Sequence, residues 1–290
     1  MAVAAESARP HHTLWGDAFV RLRRNRLAVA GAVVIILIAL ASIIVPLVSP
    51  YEFDEQNLDA ILEGPSHAHL LGTDGLGRDV FTRLFYGART SLAVGVFTQL
   101  IVLGIGLPIG ALAGYAGGRV DNLLMRFVDV VYAFPDLLLI ILIRAILGGS
   151  IYMIFLAIGL VAWVNVARLV RGQILSLKQR DFITAARAMG GSGPYITLRH
   201  LLPNSLGPVI VLVTFGIPRA IFAEAALSYI GIGIKPPTPS WGTMIQDGYN
   251  NIFGAPYLVL FPAIAVGILM LAFTFLGDGL RDALDPRERR

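Results

Sequence analysis

Few side chains in this 290-residue chain can do chemistry, and their spacing excludes most of it. There is no cysteine, which removes disulfides, thiolate metal sites and cysteine nucleophiles. The histidines, His11, His12, His67, His69 and His200, never form an HExxH pair, so a helix-borne zinc site is excluded and no metal ligands are expected. Neither lysine, Lys178 or Lys235, follows a glycine, so there is no glycine-rich loop with a lysine to hold ATP phosphates. Ser192 stands among glycines, in Gly190-Gly191-Ser192-Gly193, where a nucleophile would be accessible. It needs a base, and the nearby histidine, His200, is eight residues on in the same polar stretch. Three ionisable groups stand inside apolar runs: Arg144, Arg219 and Glu224. In a bilayer such groups line a pathway, pair within the bundle or snorkel to an interface.

The elements that must carry these residues are membrane helices. A mean hydropathy of +0.72, with 56% hydrophobic and 14% charged residues, is too apolar for a soluble domain of this length. The net charge of +4 and pI near 9.6 are explained first by cytoplasmic loops, so no nucleic-acid partner is expected. Residues 1–26 form a polar cytoplasmic segment containing Arg9, Arg21, Arg23, Arg24 and Arg26. The uncharged run 27–48 is the first transmembrane helix, longer than a signal-peptide core. The arginines then put residues 49–86, which carry more acid than base, on the outer side.

Residues 87–279 read as the membrane core, with further runs near 91–113, 137–147, 151–166, 206–234 and 257–276, and 280–290 as a basic cytoplasmic tail with Arg281, Arg287, Arg289 and Arg290. The expectation is an all-α polytopic bundle of six transmembrane helices with both termini cytoplasmic. Asp129 and Asp136 around Pro135 predict an interfacial segment ahead of the third span. Arg144, near the outer end of that span, either snorkels or lines a pathway. Glu224 either faces a path or hydrogen-bonds within the bundle, and Arg219, five residues away, is a poor helical partner for it.

Between the fourth and fifth runs lies a polar island, residues 178–203. Phe182, Ala185, Ala186 and Met189 fall at i, i+3, i+4 and i+7, one apolar stripe on an amphipathic helix. Gly190 stands where a left-handed cap is wanted, Gly191 and Gly193 loosen the turn, and Pro194 suits the first turn of a second helix. A helix, a glycine turn and a short helix are therefore predicted. Small residues in the stripe suit docking to a partner; a loop lying on the membrane surface is the plain alternative.

The spacing Ala185-Ala186, Gly190, Leu202-Pro203 resembles the EAA loop of ABC importer permeases, with Thr184 where that family usually has Glu and His200 where it often has Ile. The stretch from His69 to Leu92, with Gly72, Gly75 and Gly77 for turns and Asp74 and Asp79 to cap or pair with Arg78, closely resembles the C-type permease subunits of dipeptide, oligopeptide and nickel importers. So does Ala223 to Gly248, where Pro236, Pro237, Pro239 and Trp241 predict a rigid outer loop with an aromatic interface anchor.

The resemblance implies a type I, MetI-like permease fold in a bacterial inner membrane. It implies a homologous B-type permease partner, two ATPase subunits and an extracytoplasmic substrate-binding protein. No cofactor belongs to this chain, ATP and magnesium being bound by the ATPase subunits. Phe182, Thr184, Ala185, Ala186, Met189, Gly190, Gly193, His200, Leu202 and Pro203 are the expected ATPase-coupling residues. Arg144, Arg219 and Glu224 are the path candidates, and Asp74, Arg78, Asp79, Pro237 and Trp241 the binding-protein contacts. The expected cargo is a di- or oligopeptide, with nickel or another small solute as the alternative within the family. Outside it stand an ion-coupled transporter and, since Gly190–Gly193 also fits the GxSG pattern of rhomboid-type proteases, an intramembrane hydrolase.

Overall fold

The computed structural model describes residues 14–148 and 150–285. His11, His12 and Arg9 at one end and Arg287, Arg289 and Arg290 at the other lie outside the described residues. Within them the chain is all-helical: α1 (Leu14–Arg24), α2 (Arg26–Val48), α3 (Val80–Ala116), α4 (Gly118–Ala133), α5 (Asp136–Leu147), α6 (Ile151–Leu177), α7 (Asp181–Ala188), α8 (Gly193–Ile196), α9 (Leu202–Tyr229), α10 (Trp241–Tyr249) and α11 (Tyr257–Leu284). Helices α2, α3, α6, α9 joined to α8, and α11 are each long and apolar enough to cross a bilayer.

The bundle is centred on α3 and α6. Gly106, Gly110 and Gly114 recur every fourth residue on α3, and a Cβ on any of them would strike α6; at Gly110 it would lie 2.5 Å from the Ala167 carbonyl oxygen. Such a stripe lets two backbones approach where lipid offers no hydrophobic drive. Gly106 meets Val166, Gly110 meets Val170 and Gly114 meets Ile174, so the two helices run parallel. The chain between them must therefore return across the bundle. It does so through α4 and α5, which meet at 92° across Pro135. The third crossing is thus a broken pair rather than the single span expected near 137–147, because α5 alone rises only about 18 Å against a hydrocarbon core of about 30 Å.

Two further boundaries differ from expectation. Helix α3 starts at Val80, capped by Asp79, so residues 80–86 of the expected outer segment belong to a 37-residue helix. The helix after the glycine turn is not short: α8 runs through a π turn, Thr197–Leu201, into α9. Pro203 lacks an N–H and its ring crowds the carbonyl four residues back, and the wider π turn accommodates both.

Candidate functional site

The polar island forms a clamped hairpin at one end of the bundle. On α7, Ile183 and Ala186 face inward, at 0% and 5% exposure. They pack with Ile196 and Leu201 against Ala167, Val170 and Ile174 of α6. Thr184, Ala185, Phe182 and Met189 point outward, with Met189 82% exposed. Of the expected stripe, Phe182, Ala185 and Met189 lie on the open face and Ala186 alone turns inward, joined there by Ile183 from outside the stripe. Tyr195 and Leu198 extend the exposed apolar surface.

The turn is fixed by backbone bonds. Gly190 has φ +84°, its N–H donates to the Arg187 carbonyl, and the Gly191 N–H donates to the Ala186 carbonyl. This is a Schellman closure, which needs a residue at ease in left-handed backbone. Gly193 is small for another reason, since a Cβ there would fall on the Tyr115 hydroxyl at the end of α3. Lys178 Nζ donates to the Gly114 and Tyr115 carbonyls at 3.3 and 2.7 Å, closing the open carbonyl end of α3. Arg171 grips Asp121 of α4 with two bonds of 2.5 and 2.7 Å. Arg168 reaches Asp129 at 2.5 Å and lies over the Tyr132 ring. Leu202 is half-buried and Pro203 exposed. Ser192 is also exposed, and the His200 ring stands edge-on to Tyr195 at 5.7 Å without a hydrogen bond to Ser192. No nucleophile and base are assembled there.

At the opposite end the string from His69 onward bonds largely to itself. Asp74 accepts from the Leu76 and Arg78 N–H groups and from Arg78 Nε at 2.7 Å. Asp79 accepts from Thr82 and lies 3.0 Å from His69 Nδ1. Arg83 donates to the Phe53 carbonyl. Asp247, on α10, lies 3.4 Å from Arg78 and 3.8 Å from Arg83. Although its side chain is 46% exposed, partial desolvation pushes the Asp247 carboxyl above its usual range, against the pull of both arginines. Asp74, Arg78, Asp79 and Trp241 are each under 10% exposed, so they shape this surface from beneath. Trp241 is a packed residue rather than an interface anchor, its Nε1 donating to the Leu84 carbonyl. Pro237 is exposed.

The path candidates separate. Glu224 is fully buried and accepts from Ser228 and Ser240 at 2.6 and 2.7 Å, tying α9 to the start of α10. It is an internal hydrogen-bonded group. Arg219 lines a mid-bundle cavity of about 340 Å³ together with Gln99, Asp136 and Asn165. Asp136, Asn165 and Arg219 are exposed, and no side-chain hydrogen bond or ion pair among the described residues occupies them. Sequence reading passed over Gln99 and Asn165, which were visible as amides in apolar runs, and placed Asp136 at an interface. Arg144 does not snorkel: it is 3% exposed and donates to the Gly233 carbonyl at 3.0 Å.

Residues 106–290 match the family model of the binding-protein-dependent transport system inner membrane component. The chain belongs to this family. A second model, the N-terminal transmembrane domain of oligopeptide transport permease C, matches residues 13–65 of the permease. It is 41% identical to the oligopeptide transport system permease protein OppC of Bacillus subtilis, covering 96% of this chain and 91% of that one. Against the dipeptide transport system permease protein DppC of the same organism the identity is 44%, over 97% and 88% of the two chains. Against the glutathione transport system permease protein GsiD of Escherichia coli O6:K15:H31 it is 43%, over 95% and 91%.

In three dimensions the permease is similar to a chain of the methionine ABC transporter MetNI in an inward-facing conformation. The TM-score is 0.56 at 22% identity, over 70% of this chain and 96% of that one. The fold is that of an ABC importer permease, and the protein is a multi-pass membrane protein.

Proposed function

We propose that this permease forms half of the path of an ATP-driven peptide importer in a bacterial inner membrane. It pairs there with a homologous B-type subunit and takes its work from two ATPase subunits. The observation that carries this reading is the outer face of α7. Phe182, Ala185 and Met189 stand exposed on a short helix whose inner face, Ile183 and Ala186, is locked into the α3 and α6 core. A partner gripping that face moves the bundle with it, since packed helices shift as units rather than deform continuously. The α7 end is then cytoplasmic, with the segments 1–26 and 280–290, and the 49–79 and 230–256 surfaces face outward toward a substrate-binding protein.

The relatives' names specify oligopeptides, dipeptides and glutathione, which supports a peptide cargo. Asp136, Asn165, Arg219 and Gln99 offer both charges and amides to such a zwitterion at mid-bundle. No bond is made or broken by this chain; it contributes alternating access.

The test is purification from native membrane through a tag on this chain. ATPase subunits and a second permease should be recovered, and hydrolysis should rise when binding protein and peptide are added together. Recovery of the chain alone, with transport or cleavage activity of its own, refutes the reading.

A further inference from the structure

Arg144 is buried in the last turn of α5 with most of its hydrogen-bonding capacity unused. Its Nη2 donates to the Gly233 carbonyl, while Nε and Nη1 have no partner among the described residues. The side chain lines a cavity of about 460 Å³ with Gly148, the 231–236 segment, Gln246 and Asp247. Asp247 is the acid in that wall, and it is already shared by Arg78 and Arg83. Lys235 adds a further positive charge to the wall. A guanidinium held away from water with Nε and Nη1 idle is costly unless an anion completes it; these two nitrogens lie on opposite edges of the plane, so a carboxylate takes one of them, paired with the second N–H of Nη2.

The cavity is also aligned with the mid-bundle one. Asp136, Ile140 and Arg144 recur every fourth residue and so share one face of α5, and Gly148 caps its end. Asp136 and Ile140 line the inner cavity, and Arg144 and Gly148 line the outer. Eight residues of helix separate Asp136 from Arg144, a rise of about 12 Å, the reach of three to four extended residues. We propose that Arg144 is a carboxylate-binding site at the outer mouth of the path and takes the C-terminal carboxylate of the entering peptide, whose chain then lies along α5 toward Asp136. The proposal rests on the peptide-importer reading.

The test uses the complete transporter with its binding protein in liposomes, comparing ATP-driven uptake of trialanine with that of its C-terminal amide. Both are supplied at concentrations that saturate the binding protein. Wild type should favour the acid by about tenfold, from the charge-assisted bonds that the amide cannot make. Arg144→Gln should bring the acid-to-amide ratio to about one, and Arg144→Lys should leave an intermediate ratio.

Recovery of the assembled complex shows that each variant has folded. A ratio unchanged in Arg144→Gln, or acid and amide falling together, overturns the proposal. So does a weakened affinity for the binding protein, which would put the anion on that partner. A defect seen only with anionic lipid would make it a headgroup phosphate and overturn it equally. Absence of ATP-dependent uptake in wild type instead overturns the importer reading.

Discussion

Replacing Gly190 with valine should cut uptake while leaving the permease in the membrane. Gly190 sits at φ +84°, and no atom lies within 4 Å of the place a Cβ would take. The penalty is therefore one of backbone conformation, not of collision within the chain. Left-handed backbone costs an L-residue about 1–2 kcal/mol, and a β-branched one is a genuine outlier there. Such a cost lowers the closed-to-open ratio of the turn by about 5- to 30-fold, and apparent coupling falls with the competent fraction.

Asparagine tolerates this conformation far better and should keep most of the uptake. The assay is uptake of labelled peptide by cells, normalised to the membrane content of the tagged chain. Normal uptake with valine would show that the Schellman closure is not needed for coupling. Asparagine as damaging as valine would place the fault in side-chain volume against a partner and refute the backbone explanation.

Two further perturbations test the frame. Gly110→Val puts a Cβ 2.5 Å from a backbone oxygen of α6, which cannot swing aside, so the chain should lose its membrane-resident folded form; a normal level on membrane immunoblots would contradict the α3–α6 packing. Asp247 titrates above the ordinary carboxylate range in the folded protein, so the fold binds the proton more tightly than the unfolded chain does and gains stability as pH falls through the folded value. Asp247→Asn should abolish that acid-linked rise in the melting temperature of the purified complex and melt no lower than wild type at pH 7. A lower melting temperature at pH 7 would mean that its pairing with Arg78 and Arg83 outweighs its partial desolvation, the side chain being 46% exposed.

Much of the coupling hairpin was legible because its signals are local. Gly190 marks a left-handed cap by residue type alone, and Pro194 marks a helix start, so both fell where the spacing put them. The two sides of α7 were not legible. Ile183 and Phe182 are neighbours of similar apolarity, and only the position of α6 decides that one is sealed and the other open. The same holds for Gly106, Gly110 and Gly114 of α3, whose spacing by itself does not name α6 as the partner.

What the sequence determined by itself is the membrane class, the apolar runs and the hairpin, since hydropathy, glycine and proline act over one helix turn or one bilayer thickness. The tertiary structure decided the fates of the polar groups. Glu224 became an internal tie because Ser240 arrives from sixteen residues downstream. Trp241 became core because Leu84 offers a carbonyl across the chain. Arg144 kept Nε and Nη1 without a partner among the described residues because the 231–236 segment beside it offers the Gly233 carbonyl as its hydrogen bond. Burial and pairing are properties of neighbours distant in sequence, and no local pattern records which neighbours those will be.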